Sequence, residues 1–138
     1  MFAAGAAHLR PDLTAVDLRG LRLTALGPLA PFALVRTLDV SGNQLRSLAG
    51  AAALPRLEVL RARGNGLRAL DLPPGSATRL QTLELADNPL ATAESVVAAL
   101  RGRAALQVLV LAGTPLAADA AGIQAVRDAL PNLRELHV

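Results

Sequence analysis

Cysteine, lysine, tryptophan and tyrosine are all missing from this 138-residue chain, and phenylalanine occurs only as Phe2 and Phe32. Without cysteine there is no disulfide framework and no thiolate to ligate a metal or attack a substrate. With only two aromatic rings, stacking platforms for nucleic-acid bases are missing. The core has to be built from Leu, Val and Ala. Histidine is scarce too: His8 and His137 stand near opposite termini. The serines Ser41, Ser47, Ser76 and Ser95 have no histidine to activate them, and turn or cap roles fit each. No HExxH, Gly-rich phosphate loop or G-x-S-x-G is present, and the acids are spread singly. The expectation is a protein with no catalytic residues, no metal and no cofactor.

Long apolar runs are also lacking. The chain is 52% hydrophobic, yet no window reaches the roughly 18 uninterrupted apolar residues of a membrane span. Met1 to Arg10 shows no basic start followed by an apolar stretch, as a signal peptide would. All 14 basic residues are Arg, and the net charge of +3 is by itself a weak argument for nucleic acid. Length and composition suit one domain, soluble and intracellular, with cytoplasm, nucleus and cilium undistinguished.

What the chain has in abundance is a repeat. Leu, two residues, Leu, one residue, Leu, two residues, Asn, one residue, Leu recurs from Leu13, Val35, Leu57, Leu80 and Leu106, and a shortened copy starts at Leu133. The starts are 22, 22, 23, 26 and 27 residues apart. Positions 4 and 6 are separated by single variable residues, the period of a strand with one buried face. Stacked at about 4.8 Å per strand, six such strands make a parallel sheet roughly 25 to 30 Å long. Each buried leucine is worth about 1.5 to 3 kcal/mol, so every unit depends on its neighbours for its stability. Asn43, Asn65 and Asn88 occupy position 9, where an amide that donates and accepts can satisfy backbone groups of adjacent turns. This structural Asn ladder is interrupted at Leu21 and Thr114.

The first three return segments carry Pro28, Pro31, Pro55, Pro73 and Pro74 and leave room only for turns or 3₁₀ pieces. The last two are longer. Thr92 to Arg101 reads as a helix capped by Thr92, with Glu94 in its first turn. Ala118 to Leu130 reads as a second helix with Ile123, Val126 and Leu130 on one face, stopped by Pro131. The expected fold class is α/β: residues 1–12 as an N-terminal cap, 13–116 as repeats, and 117–138 as a cap-like helix and last strand.

These residues resemble leucine-rich repeats over almost the whole chain. The 22-residue spacing is similar to the subclass of protein phosphatase 1 regulatory subunits, the spliceosomal A-prime protein and the outer-arm dynein light chain. The stretch Leu111-Ala112-Gly113-Thr114-Pro115-Leu116, with Val126, Leu130-Pro131, Leu133 and Leu136, looks like that subclass's C-terminal cap. Thr114 replaces the usual Asn, the Tyr-Arg pair is missing, and His137 stands where Asp is usual. The longer last repeats also resemble the ribonuclease-inhibitor type. The resemblance implies a curved solenoid of about six short parallel strands on the concave face, with short turns and then two helices on the convex side. It implies a surface that binds proteins.

With positions 4 and 6 pointing inward, positions 3, 5 and 7 cover the concave face. Asp39, Arg61 and Glu84 should form a row across adjacent strands with Arg63 close by. A self-satisfying charge ladder and a stripe that registers a partner both fit. Val59, Val108 and Val110 put apolar groups on a face that should be wet, with Ala86 and Ala112 nearby. Ordinary strand propensity and an interface centre with a charged rim both fit. Arg46 and Arg68 share position 12 near the turn edge. With Arg22, Arg101 and Arg103 they offer a phosphate-contacting edge or simply a solvated one. The sixth strand presents an open edge, expected to form part of an assembly interface.

The reading reached from residues and resemblance together is a non-catalytic interaction scaffold, a subunit of a larger assembly that holds a protein partner on its concave face. The alternative is a protein-bound subunit of a ribonucleoprotein with an Arg-rich edge beside RNA. Direct nucleic-acid binding is disfavoured, and no membrane role is expected.

Overall fold

The computed structural model describes residues 13–27, 29, 32–73 and 75–138. The expected N-terminal cap, with His8, lies outside the described residues, as do Pro28, Pro31 and Pro74. Six three-residue strands form one parallel sheet in chain order: β1 (Ala15–Asp17), β2 (Thr37–Asp39), β3 (Val59–Arg61), β4 (Thr82–Glu84), β5 (Val108–Val110) and β6 (Glu135–His137). Their register follows the repeat number for number. Val16, Leu38, Leu60, Leu83, Leu109 and Leu136 form one column across the sheet. The four inner members of that column are buried, while Val16 and Leu136 at the ends are half-buried.

The other repeat positions build the rest of the core. Val35, Leu57, Leu80 and Leu106 close one side, and Leu23, Leu45, Leu67, Leu90 and Leu116 close the other. The first return buries Phe32. The next contains a 3₁₀ segment, Ala49–Ala53, as a short return requires. The two longer returns carry α1 (Ala93–Leu100) and α2 (Ala120–Ala129), which pack on each other. The chain is therefore an α/β solenoid with its sheet on the concave face and its helices opposite.

Both helices differ in detail from expectation. Thr92 sits at the N-cap of α1 with extended backbone, but its side chain makes no capping hydrogen bond. At the other end Arg101 leaves helical geometry, and Gly102 with φ of 80° turns the chain away. The stretch expected as one helix from Ala118 is divided. Pro115–Ala118 is a 3₁₀ turn capped by Thr114: the Ala117 N–H donates to the Thr114 carbonyl at 3.1 Å and to its Oγ1 at 3.2 Å. Asp119 is extended, and only then does α2 begin.

The turns after the strands form a stacked column of left-handed residues, Gly20, Gly42, Gly64, Asp87 and Gly113. The N–H groups of the first four bond across coils; that of Gly42, for example, donates to the Arg63 carbonyl at 2.8 Å. Asp87 is the one side chain in this column, with φ of 58°. Gly113 has a left-handed φ of 76°, strained for any other residue, and a Cβ there would stand 2.1 Å from Asp87 Oδ1, forcing that carboxylate to move.

Candidate protein-binding face

Position 5 of the repeat aligns Asp17, Asp39, Arg61, Glu84, Val110 and His137 across the six strands. Arg61 has acids on both sides but pairs with only one. Its Nε donates to Glu84 Oε2 at 2.8 Å. Asp39 instead accepts from the Ser41 N–H at 3.0 Å and faces Arg19 Nε at 3.8 Å. Arg19 also clasps Asp17 through Nε and Nη2, at 3.0 and 2.9 Å. That side-chain hydrogen bonding holds the Asp17 carboxyl below its ordinary value and raises the Arg19 guanidinium. Arg63 does not join the row. It donates to Asp87 Oδ2 at 2.8 Å, because Asp87 replaces glycine in the turn column of the next coil. These pairs lie largely in water, where each is worth about 0 to 1 kcal/mol, so their contribution to the fold is small.

The apolar part of the face lies toward β6. Val108 and Val110 are half-buried, separated along β5 by the fully buried Leu109. Val59 is half-buried on β3 and pairs in register with Thr82, which in turn pairs with Val108. Ala112 is half-buried beside them. Ala86 is not part of this patch: it is only 6% exposed, tucked under the turn column, where its carbonyl accepts from the Gly64 N–H at 3.0 Å. One end of the concave face is thus ion-paired, and the β5 row at the other carries no charged residue.

Beneath the face, the three asparagines tie coil to coil. Asn43 Oδ1 accepts from the N–H groups of Leu21 and Leu23, both at 3.0 Å, and its Nδ2 donates to the carbonyls of Leu18 and Val40. Asn65 and Asn88 repeat the pattern one coil further on. Thr114, 5% exposed, takes the place in the following coil and bonds only within its own turn, its Oγ1 donating to the Leu111 carbonyl at 2.6 Å. No buried side-chain polar atom among the described residues lacks a partner.

The five arginines grouped as an edge do not form one. Arg46 and Arg68 lie at the rim where the strands end. Arg46 borders an open polar groove with Thr24, Asn43, Gln44, Asn65 and Gly66. Among the described residues, neither guanidinium has a hydrogen bond or ion pair. Arg101 and Arg103 lie on the approach to β5, at the opposite rim, because in-register parallel strands put every approach on one side and every exit on the other. Arg103 is half-buried and engaged. Its Nε donates to the Ala99 carbonyl at 2.8 Å, Nη1 to those of Ser76 and Ala77, and Nη2 to that of Pro73 at 3.1 Å. It fastens the third return to the end of α1. The sequence offered no signal for this clamp; for Arg63–Asp87 the signal was the lone non-glycine in the turn column.

Among the described residues no group of His, Cys, Asp or Glu could hold a metal ion, and no helix is long and apolar enough to cross a membrane. The in-register leucine column, the asparagine ties and the six parallel strands define the class: the chain is a leucine-rich repeat protein. Two solved structures place it further. The first belongs to the Drosophila melanogaster SNF/U2A′ complex, with a TM-score of 0.77 and 26% identity over 88% of this chain and 71% of that one. The second is a leucine-rich repeat protein of Leptospira interrogans, with a TM-score of 0.66 and 27% identity over 83% of this chain and 28% of that one. Among curated sequences, the geranylgeranyl transferase type-2 subunit alpha of Bos taurus is 36% identical over 115 residues, 83% of this chain. The Homo sapiens protein of the same name is 38% identical over 112 residues, 80% of this chain. The chain spans only about a fifth of the length of these curated relatives, 20% and 19%. No family model matches the chain.

Proposed function

We propose that this chain is a non-catalytic interaction scaffold, a structural or adaptor subunit of a larger complex that holds a helix or segment of a partner protein on its concave sheet. The observation that carries this reading is the juxtaposition of half-exposed Val59, Val108 and Val110 with the charged groups Asp39, Arg61, Arg63 and Glu84 on one face. Valines that shed water form an interface centre, and fixed charges beside them select orientation and register. Because the face has no Trp, Tyr or Phe, the partner supplies the large anchor. The Drosophila melanogaster neighbour was solved in complex with a second protein, which supports the same use here. The transferase relatives match over a fifth of their length or less, and their activity is not carried over.

Purification of the chain with its bound proteins from the native source identifies the partner. Arg61→Glu then breaks the pair with Glu84 and sets two carboxylates side by side. It should weaken binding about tenfold while shifting the thermal midpoint by only a few degrees. Unchanged affinity would move the interface elsewhere.

One observation favours the ribonucleoprotein alternative: Arg46 and Arg68 stand on adjacent coils with no ion-pair partner among the described residues. If RNA lies against that rim, association with the assembly falls steeply between low and moderate salt and is abolished by nuclease. A salt-tolerant, nuclease-resistant complex supports the protein-binding reading.

A further inference from the structure

The rim on which the strands begin carries a pocket of about 220 Å³ between the third return and the loop that follows α1. Its walls include Gly75, Thr78, Arg101, Gly102 and Arg103. Gly75 and Gly102 both have left-handed backbone, with φ of 82° and 80°, and nothing lies within 4 Å of the position a Cβ would occupy at either. The backbone there is bare and open to approach. The pocket is electropositive. Arg101 makes no side-chain hydrogen bond or ion pair among the described residues, and the Thr78 hydroxyl likewise has no partner. Arg103 is held only by carbonyl oxygens, which offset its charge as dipoles but do not neutralise it. Its guanidinium is desolvated enough for burial to lower its pKa. Arg103 is a half-buried cation with no carboxylate against it, and the exposed Arg101 beside it has none either, whereas Arg19, Arg36, Arg61 and Arg63 have acids as partners.

We propose that this pocket is an oxyanion site that receives the phosphate of a phosphorylated side chain on a partner protein. Three donor-bearing side chains line it from separate elements: Arg101 at the end of α1, Arg103 in the following loop, which already makes four bonds to carbonyls, and Thr78 in the preceding coil. A phosphate monoester presents three strong acceptor oxygens and close to two negative charges at neutral pH, matching three donors and two cations. A flat carboxylate is met by a single guanidinium fork. A phosphodiester has one charge and two free oxygens, and the bases attached to it would find no aromatic side chain here to stack on. The site is on the approach rim, apart from both the concave valines and the Arg46–Arg68 rim, so it stands or falls independently of the function proposed above.

The test is an amide NMR titration of the full chain with a short peptide carrying one phosphoserine, run beside the serine version of that peptide, inorganic phosphate and a uridine oligonucleotide. The phosphopeptide should shift the Gly75, Thr78, Gly102 and Arg103 amides saturably, and the serine peptide should leave them in place. Thr78→Val and Arg101→Gln should each weaken binding about tenfold with an unchanged melting temperature, since neither side chain holds the fold. Arg103 is left intact because it fastens two loops. The proposal is overturned if those amides do not saturate, or if the double variant binds as well as the wild type. It is also overturned if inorganic phosphate binds as tightly as the phosphopeptide, or if the oligonucleotide takes the same amides at lower concentration.

Discussion

Replacing Asn88 with alanine should destabilise the protein by about 3 kcal/mol or more, far beyond the effect of an exposed polar residue. Asn88 is 2% exposed. Its Oδ1 accepts from the N–H groups of Asn65 and Leu67 at 3.1 and 3.2 Å, and its Nδ2 donates to the carbonyls of Ala62, Leu85 and Ala86 at 2.9, 3.0 and 3.2 Å. Alanine leaves two N–H groups of the preceding coil buried without acceptors, and each such group costs about 1 to 3 kcal/mol. Three carbonyls lose a donor as well. Urea unfolding reads this directly: the midpoint falls while the slope with denaturant is unchanged. Asn88→Asp should also destabilise, because it keeps the acceptor but removes the donor and introduces a buried charge. A loss below about 1 kcal/mol for the alanine variant would mean that the coils do not depend on this tie.

The second large effect is expected at the spine. Leu60 is fully buried, with Leu38 and Leu83 beside it in register. Leu60→Ala should cost about 3 to 5 kcal/mol, the lost transfer energy plus a cavity that the flanking coils cannot close. Leu136, half-buried in the outermost described strand, should cost about 1 to 2 kcal/mol when replaced in the same way. The contrast matters more than either value. In a solenoid each interior coil is covered from two sides and each outer one from a single side. Equal losses at residues 60 and 136 would contradict stacking as the source of stability.

The spine, the sheet register and the turn asparagines were legible because a repeat states each of them several times. A leucine at one position is ambiguous, but leucines at position 4 of successive units can be buried together only in a parallel stack. The charged contacts were less legible. Sequence puts Asp39 and Glu84 equally next to Arg61 in the row, and only side-chain geometry shows that Asp39 accepts the Ser41 N–H and leaves Arg61 to Glu84. Ala86 looked exposed by its position number, yet the inter-coil bonds of the turn column bury it. The Arg103 clamp was not legible at all. Three of its four partners are carbonyls 26 to 30 residues earlier in an irregular loop, and carbonyl groups have no side-chain signature. Helix ends failed for a similar reason: Thr92 has a capping residue's identity and backbone, but its hydroxyl makes no capping bond.

The same physics links these features to binding. Three-residue strands put their energy into the spine and the asparagine ties, so exposed outward residues such as Arg61 and Arg63 should contribute little to stability. Arg61–Glu84 and Arg63–Asp87 are paired at 2.8 Å with no partner present. A partner can dock against them without first ordering them, which lowers the entropy cost of association.

The most direct measurement places a photo-cross-linking amino acid at Val110 on the sheet, at Arg46 on the exit rim, or at Arg127 on α2, in the cells that make the protein. An interaction scaffold that uses its concave sheet predicts one discrete protein adduct from position 110 and none from position 127. Adducts confined to positions 46 and 127, with none from 110, would contradict it.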